Sequence, residues 1–158
     1  MLFGGFVFYF LVRDNEYMSY IFYAFLSAIT AAFVAILGKL GLKNVDTTLA
    51  TTVRSVVMAF FLISTSVILK KFNGFSLSSF SQRDWLLIIC SGIVGALSWL
   101  FYFFALKTVV ASHVSAIDRL SVVFVVILSV LFLGEVFTWK SLCGALFIVV
   151  GALLITWK

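Results

Sequence analysis

The stretch Val109–Leu133, about 25 residues long, most limits what this chain can fold into. A helix of about 20 apolar residues is long enough to cross the hydrocarbon core of a bilayer. Asp118 and Arg119 interrupt the stretch, and charged side chains at that depth are costly and usually functional. Gly134 and Glu135 end it at a predicted membrane edge. The pattern predicts a transmembrane helix that carries charge.

The composition extends this prediction to the whole chain. Hydrophobic residues make up 64% and charged residues 11%, and the mean hydropathy is +1.24, so we expect an integral membrane protein whose first partner is the lipid bilayer. The cations are scattered singly, which excludes nucleic acid as a partner. No metal site, cofactor or enzyme is expected, because no Cys-x-x-Cys motif, nucleophile–base pair or phosphate-binding loop is present. Cys90 and Cys143 are predicted to be inert packing residues.

Five apolar segments predict an all-α integral membrane fold, a bundle of five transmembrane helices. Asp46 and Asp84 are predicted N-caps of the second and third helices. Residues 1–17 contain too short an apolar run to span, so we set them apart as an N-terminal extension, from an upstream start or an interfacial anchor. Residues 18–158 form the predicted domain. The segments are Ser19–Leu37, Thr48–Leu69, Trp85–Leu106, Val109–Leu133 and Thr138–Trp157.

The cations that flank these segments are divided equally between the two membrane faces. One face has Lys70, Lys71, Arg83 and Lys140, and the other has Lys39, Lys43, Lys107 and Lys158. Because an excess of Lys and Arg on the cytoplasmic side sets orientation, a tie leaves the direction of insertion open. Either one cation dominates insertion, or copies insert both ways and pair antiparallel.

Charged and polar side chains inside the segments outline a predicted substrate cavity. Arg54 and the pair Asp118–Arg119 lie at a similar depth, so Arg54 would pair with Asp118, both arginines would share it, or both would reach toward the membrane surface. A surplus positive charge would favour anionic or zwitterionic substrates. His113 is interpreted as an interfacial or capping residue. The predicted polar lining is Thr51, Ser98, Tyr102 and Ser115.

Small residues predict close helix packing. Gly92 and Gly95 lie near each other on the third segment, and Gly144 and Gly151 are one heptad apart on the fifth. Glycines at such spacings allow helix backbones to approach closely in membranes. We therefore interpret these four glycines as helix-packing residues.

The last three segments closely resemble the EamA-like repeat of the drug/metabolite transporter superfamily. The shared pattern comprises the Ala-Leu-Lys turn at 105–107, the Leu-Phe-Leu-Gly-Glu ending at 131–135, Thr138-Trp139, and the glycine spacing of residues 144–151. The resemblance implies one five-helix repeat, half of the usual ten-helix transporter with inverted repeats. This chain has Ser121 where many relatives carry Pro, and it contains no Pro, which puts an inherited helix kink in doubt.

A single repeat does not enclose the family's cavity, so the resemblance implies a partner. That partner would be a second copy in an antiparallel homodimer of dual topology, as in the similar small multidrug resistance proteins, or a homologous five-helix protein. The predicted function is transport, most commonly export, of small organic metabolites or drug-like compounds across the inner or plasma membrane by alternating access. The alternative is a non-transporting membrane subunit that assembles with another membrane protein.

Overall fold

The computed structural model describes residues 2–73, 76 and 79–157, with side chains from residue 19 onward. Within these residues, five helical spans are long and apolar enough to cross a membrane. The chain divides into two units at the bond between Leu37 and Gly38, inside the first helix. The spans are Ser19–Gly41, Thr47–Ile68, Gln82–Thr108, Ala111–Leu133 and Trp139–Thr156. The predicted all-α five-helix membrane fold is therefore confirmed.

Helix α1 runs over Leu2–Gly41, so the predicted extension is helical and continuous with the first span. Helix α2, Thr47–Ile68, begins at the predicted cap, since the Asp46 side chain accepts a hydrogen bond from the backbone N–H of Leu49 at 3.0 Å. A carboxylate at this position satisfies one of the free N–H groups of the first turn.

Helix α3, Gln82–Thr108, begins earlier than predicted, and its N-cap is Ser81 rather than Asp84. The two residues form a reciprocal capping box. The Ser81 hydroxyl accepts from the backbone N–H of Asp84 at 3.2 Å, and the Ser81 N–H donates to the Asp84 carboxylate at 3.0 Å. The prediction of Asp84 as the cap was wrong because Asp84 stands at the third helical position and stabilises the cap from there.

The fourth span consists of three consecutive pieces. Helix α4 is Ala111–Asp118, helix α5 is Ser121–Leu128, and a wide π-helical turn covers Ser129–Leu133. At the junction of α4 and α5 the backbone tightens, because the Leu120 N–H donates to Ile117 and the Val123 N–H to Leu120, three residues back, at 2.9 Å each. The helix is thus interrupted without a proline.

Gly134 and Thr138 set the boundaries at the far end of the bundle. Gly134 has φ +68°, a left-handed conformation that glycine adopts at no steric cost, and it ends the fourth span as predicted. The Thr138 hydroxyl then accepts from the Ser141 N–H at 3.2 Å and caps helix α6, Trp139–Thr156.

The core is small and lies where α4 packs on α6 and α2 on α3. The α4–α6 contact buries the small side chains of Ala116, Ala145 and Ala152, while Phe103 and Leu106 are buried on α3. Most other large apolar side chains are exposed on the protomer. Such a surface is expected where lipid, rather than water, surrounds the helices.

Candidate substrate cavity

Arg54, on α2, stacks on an aromatic cluster of α3. Its guanidinium carbon lies 3.8 Å from the centroid of the Trp99 ring and 5.1 Å from that of Phe103. A guanidinium over an aromatic face is attracted to the negative ring surface, and the attraction grows when water is excluded. Within the described residues, no ion pair joins Arg54 to Asp118. The structure therefore places the arginine on Trp99 and leaves Asp118 without that cation.

The aromatic cluster continues from Trp99 to Tyr102 by an edge-to-face contact, with ring centroids 5.8 Å apart. Tyr102 points its hydroxyl at the neighbouring helix α4, where it forms a hydrogen bond of 3.1 Å with the Ser115 hydroxyl. Both hydroxyls are half-buried, and a buried phenol normally finds a partner of this kind. Two residues of the predicted polar lining are thus joined across α3 and α4.

Tyr102 also lines an open cavity of about 220 Å³ between α3 and α4. Most of its wall is apolar, and three polar side chains interrupt that wall: Tyr102, His113 and Asp118. The complete lining is Tyr102, Ala105, Val109, His113, Val114, Ile117 and Asp118. We refer to it as the α3–α4 cavity.

His113 is the cavity residue that sequence reasoning missed. Its position near the start of α4 suggested an interfacial role, whereas the structure places its half-buried imidazole in the same cavity as Asp118. The two residues are five positions apart, which on a continuous helix would turn them from each other by about 140°. The cavity is nevertheless wide enough for both side chains to border it. The sequence of α4 alone does not show this, because residues of α3 form the other wall.

A second open cavity, of about 370 Å³, lies between α2 and α3. Its α2 wall is a stripe of hydroxyls that includes the predicted residue Thr51, and its α3 wall is apolar. The hydroxyls of Thr51, Thr52 and Ser55 donate to carbonyls four residues back on their own helix, at 2.7–2.9 Å. The complete lining is Thr48, Thr51, Thr52, Ser55, Ile93, Ala96, Leu97 and Leu100.

Ser98 and Arg119, the remaining predicted cavity residues, line neither of these two cavities. Both side chains are exposed on the protomer. Asp118 is also largely exposed, although it borders the α3–α4 cavity. Of the seven predicted residues, Tyr102 and Asp118 border the α3–α4 cavity, and Ser115 is hydrogen-bonded to Tyr102. Thr51 borders the second cavity, and Arg54 contacts Trp99.

The four glycines predicted to pack helices have open space beside them. A methyl group added to Gly92, Gly95, Gly144 or Gly151 would meet no atom within 4 Å apart from its own helix backbone and chain neighbours. Close approach instead occurs at Gly38, where an added Cβ would lie 2.5 Å from Cε1 of Phe103. The packing role of the four glycines stays a prediction.

Two lysines fix the turn that joins α3 to α4. The Lys39 ammonium donates to the carbonyls of Leu106 at 2.6 Å and Val109 at 2.8 Å, the free acceptors at the end of α3. Lys107 donates to the carbonyl of Val45 at 3.0 Å. The predicted placement of Lys39 and Lys107 at one membrane face agrees with these contacts.

Five apolar spans with charged and polar groups inside them define the class of the multi-pass membrane proteins. The profile of the EamA-like transporter family matches residues 18–157. The chain belongs to this family, part of the drug/metabolite transporter type, and the resemblance seen in the sequence is confirmed.

A relative from Sinorhizobium sp, described as an uncharacterized transporter in the cobO 3′ region, is 37% identical over 137 residues. The alignment covers 87% of this chain and 96% of the relative, so both have the size of one repeat. No solved structure matches the chain significantly. These similarities support a transporter rather than an enzyme.

Proposed function

We propose that this protein exports small organic compounds across the inner or plasma membrane as an antiparallel homodimer that works by alternating access. Membership of a transporter family supports the class of activity. The size of one repeat supports the pairing, because a cavity between two halves needs a second half. The proposed cavity residues are Arg54, Asp118, Arg119, Thr51, Ser115, Ser98 and Tyr102.

The exposure of Asp118 and Arg119 is the observation that carries the pairing. Both lie about a third of the way along the span Ala111–Leu133, inside its apolar length, and both are exposed on the protomer. Charged side chains at this depth almost always face a bundle interior or a water-filled cavity, because hydrocarbon does not solvate them. A second five-helix unit that covers this face would give both residues such a setting.

The balance of flanking cations favours an inverted second copy. Four cations flank the spans at one end: Lys70, Lys71, Arg83 and Lys140. The sequence places four at the other end: Lys39, Lys43, Lys107 and Lys158, of which Lys158 lies outside the described residues. Neither end has the excess that would impose one orientation. A chain that inserts both ways supplies the inverted pair that alternating access requires.

Accessibility labelling tests the dual topology. In a chain with Cys90 and Cys143, both free thiols, replaced by Ala, single cysteines are placed at Lys43 and Lys71. Each is then treated in intact cells with a membrane-impermeant maleimide. Dual topology predicts partial labelling at both positions and complete labelling after permeabilisation. Complete labelling at one position and none at the other would exclude the homodimer and would point to an oppositely oriented partner protein.

Asp118→Asn separates a transporter from an assembly subunit. The purified variant is compared with the wild type for dimer content by crosslinking, and for efflux of a panel of labelled amino acids, amines and carboxylates from proteoliposomes. A transporter predicts lost efflux with an unchanged dimer, because the substitution keeps the side-chain size. A loss of the dimer would show that the charge serves assembly.

A further inference from the structure

We propose that Arg54 binds the carboxylate of a small organic acid through the edge of its guanidinium group, while Trp99 holds the flat face of that group. The proposal rests on the proposed transport function and names the class of substrate that the transporter would carry. Charge alone left anionic and zwitterionic substrates open. The orientation of Arg54 and the groups around it favour the anionic class.

The guanidinium of Arg54 uses its face in the protomer and leaves its edge free. Its central carbon lies 3.8 Å from the centroid of the Trp99 ring and 5.1 Å from that of Phe103. Carbon atoms in contact are about 3.5–4.0 Å apart, so a planar group this close to the ring centre lies face-on. The N–H donors of arginine lie in the plane of the group and point away from a stacked ring. Within the part of the chain that the structure describes, none of these donors forms a hydrogen bond.

Arg54 also has no counter-ion among the described residues. It lies about two turns inside the α2 span, which begins at Thr47, and thus on the order of 10 Å from that end. Its side chain is half-buried, so part of it stays accessible. A charged side chain at this depth normally pairs with an opposite charge or borders a water-filled cavity. A bound anion would supply the missing charge.

The free edge of Arg54 fits a carboxylate better than other anionic groups. Two parallel N–H groups can donate to the two oxygens of a planar carboxylate. One positive charge balances a monoanion, whereas a phosphate dianion would keep a second charge unpaired among apolar side chains, at a high desolvation cost. An amino acid would need, in addition, an acidic side chain beside the guanidinium, and none contacts Arg54 among the described residues.

The aromatic cluster of α3 indicates what the rest of the ligand contacts. Trp99 and Tyr102 are both half-buried, with ring centroids 5.8 Å apart, and Trp99 also meets Phe103 at 5.7 Å. Aromatic side chains offer a large apolar surface and pack well against other rings. We therefore expect an acid that carries a ring or a short hydrocarbon chain next to its carboxylate.

The ligand class is tested with matched probes and the purified full chain in lipid nanodiscs. The probes are 3-phenylpropionate, 3-phenylpropionamide and phenylalanine, which share one ring and a short chain but differ in charge. At neutral pH, calorimetry should show the tightest binding for 3-phenylpropionate, by about tenfold or more over its amide, because the amide cannot form the charge-assisted pair. Equal affinity for the acid and its amide would overturn the proposal. Tighter binding of phenylalanine would overturn the anionic class.

The role of Arg54 is tested with two substitutions and a matched control. Arg54→Lys keeps the charge but has no planar edge, so it should bind the acid about tenfold more weakly. Arg54→Gln should lose the preference for the acid over its amide. Arg83→Gln removes the same charge from an exposed arginine in the first turn of α3 and should bind like the wild type. A wild-type preference in Arg54→Gln would place the ligand elsewhere and refute the site.

Trp99 is tested as the residue that positions Arg54. Trp99→Phe keeps an aromatic face for the guanidinium and should retain most of the affinity for the acid, whereas Trp99→Leu should lose much of it. The thermal midpoint of each variant controls for folding. If the stack serves only to pack α2 on α3, Trp99→Leu will lower the midpoint but leave the ratio of the two affinities, acid over amide, unchanged, and the positioning role is then refuted.

The binding site and the proposed transport can fail separately, because binding is measured without flux. A protein that binds 3-phenylpropionate through Arg54 but shows no efflux would refute the transport and leave the site standing. Efflux of other compounds by a protein that does not distinguish the acid from its amide would refute the site and leave the transport standing.

Discussion

Replacement of Lys39 by methionine tests whether the contact between the end of α1 and the α3–α4 turn stabilises the bundle. In the wild type, the ammonium forms hydrogen bonds of 2.6 and 2.8 Å with the carbonyls of Leu106 and Val109. Methionine keeps most of the apolar stem and removes the donor. The two carbonyls, which end helix α3, would then lose their cationic partner.

The size of the effect follows from these two bonds. A hydrogen bond to a charged group contributes about 1.5–3 kcal/mol, and two bonds that share one donor are not additive. Because Lys39 is half-buried, water replaces part of the loss, and we expect Lys39→Met to lower the free energy of unfolding by about 2–3 kcal/mol. That corresponds to about a 30- to 160-fold fall in the ratio of folded to unfolded protein.

The assay is equilibrium unfolding in mixed detergent micelles, followed by tryptophan fluorescence. Lys43→Met is the matched control, since Lys43 is an exposed lysine just beyond the same helix and should change the free energy of unfolding by less than about 0.5 kcal/mol. Equal destabilisation by both substitutions would refute the reasoning, because it would show that a loss of charge, and not the contact with the turn, causes the effect.

Two further experiments test the contacts that α3 makes with its neighbours. Gly38→Ala should cost about 1–3 kcal/mol by overpacking, since the new Cβ would lie 2.5 Å from Phe103; Gly41→Ala, with open space beside it, should be neutral or stabilising in the same unfolding assay. Tyr102→Phe and Ser115→Ala should show a coupling energy of about 0.5–1.5 kcal/mol in a double-mutant cycle, and additive effects would mean that the hydroxyls do not interact.

The sequence was sufficient to predict the elements of this fold because the signals are local. The five spans follow from apolar length, the Asp46 cap from its position before a helix, and the end of the fourth span from Gly134. The Ser81 cap was missed because Ser81 and Asp84 both suit a helix start, and only the reciprocal hydrogen bonds tell them apart. Such errors shift a boundary by a few residues.

The contacts between helices were harder to predict. A pair between Arg54 and Asp118 was one of three arrangements that charge and depth left open, and the structure instead stacks Arg54 on Trp99. The depth of a residue gives its height in the membrane but not the direction in which its side chain points. The sequence also does not single out Trp99 as a partner, because any of the many aromatic residues could equally well face lipid. The sequence could not place His113 in a cavity for the same reason, since α3 supplies the other wall of that cavity.

Lys39 also links the order of synthesis to the final structure. Its two closest carbonyl partners lie 67 and 70 residues later in the chain, so the ribosome has made two more helices, α2 and α3, before the ammonium can bind them. Until then the Lys39 ammonium has no carbonyl partner on α3, and its charge favours a cytoplasmic location for this end of the first span. Afterwards it is engaged by the protein's own backbone. In a nascent chain arrested before residue 106, Lys39 should therefore have a stronger effect on the orientation of the first span than it has in the full-length protein.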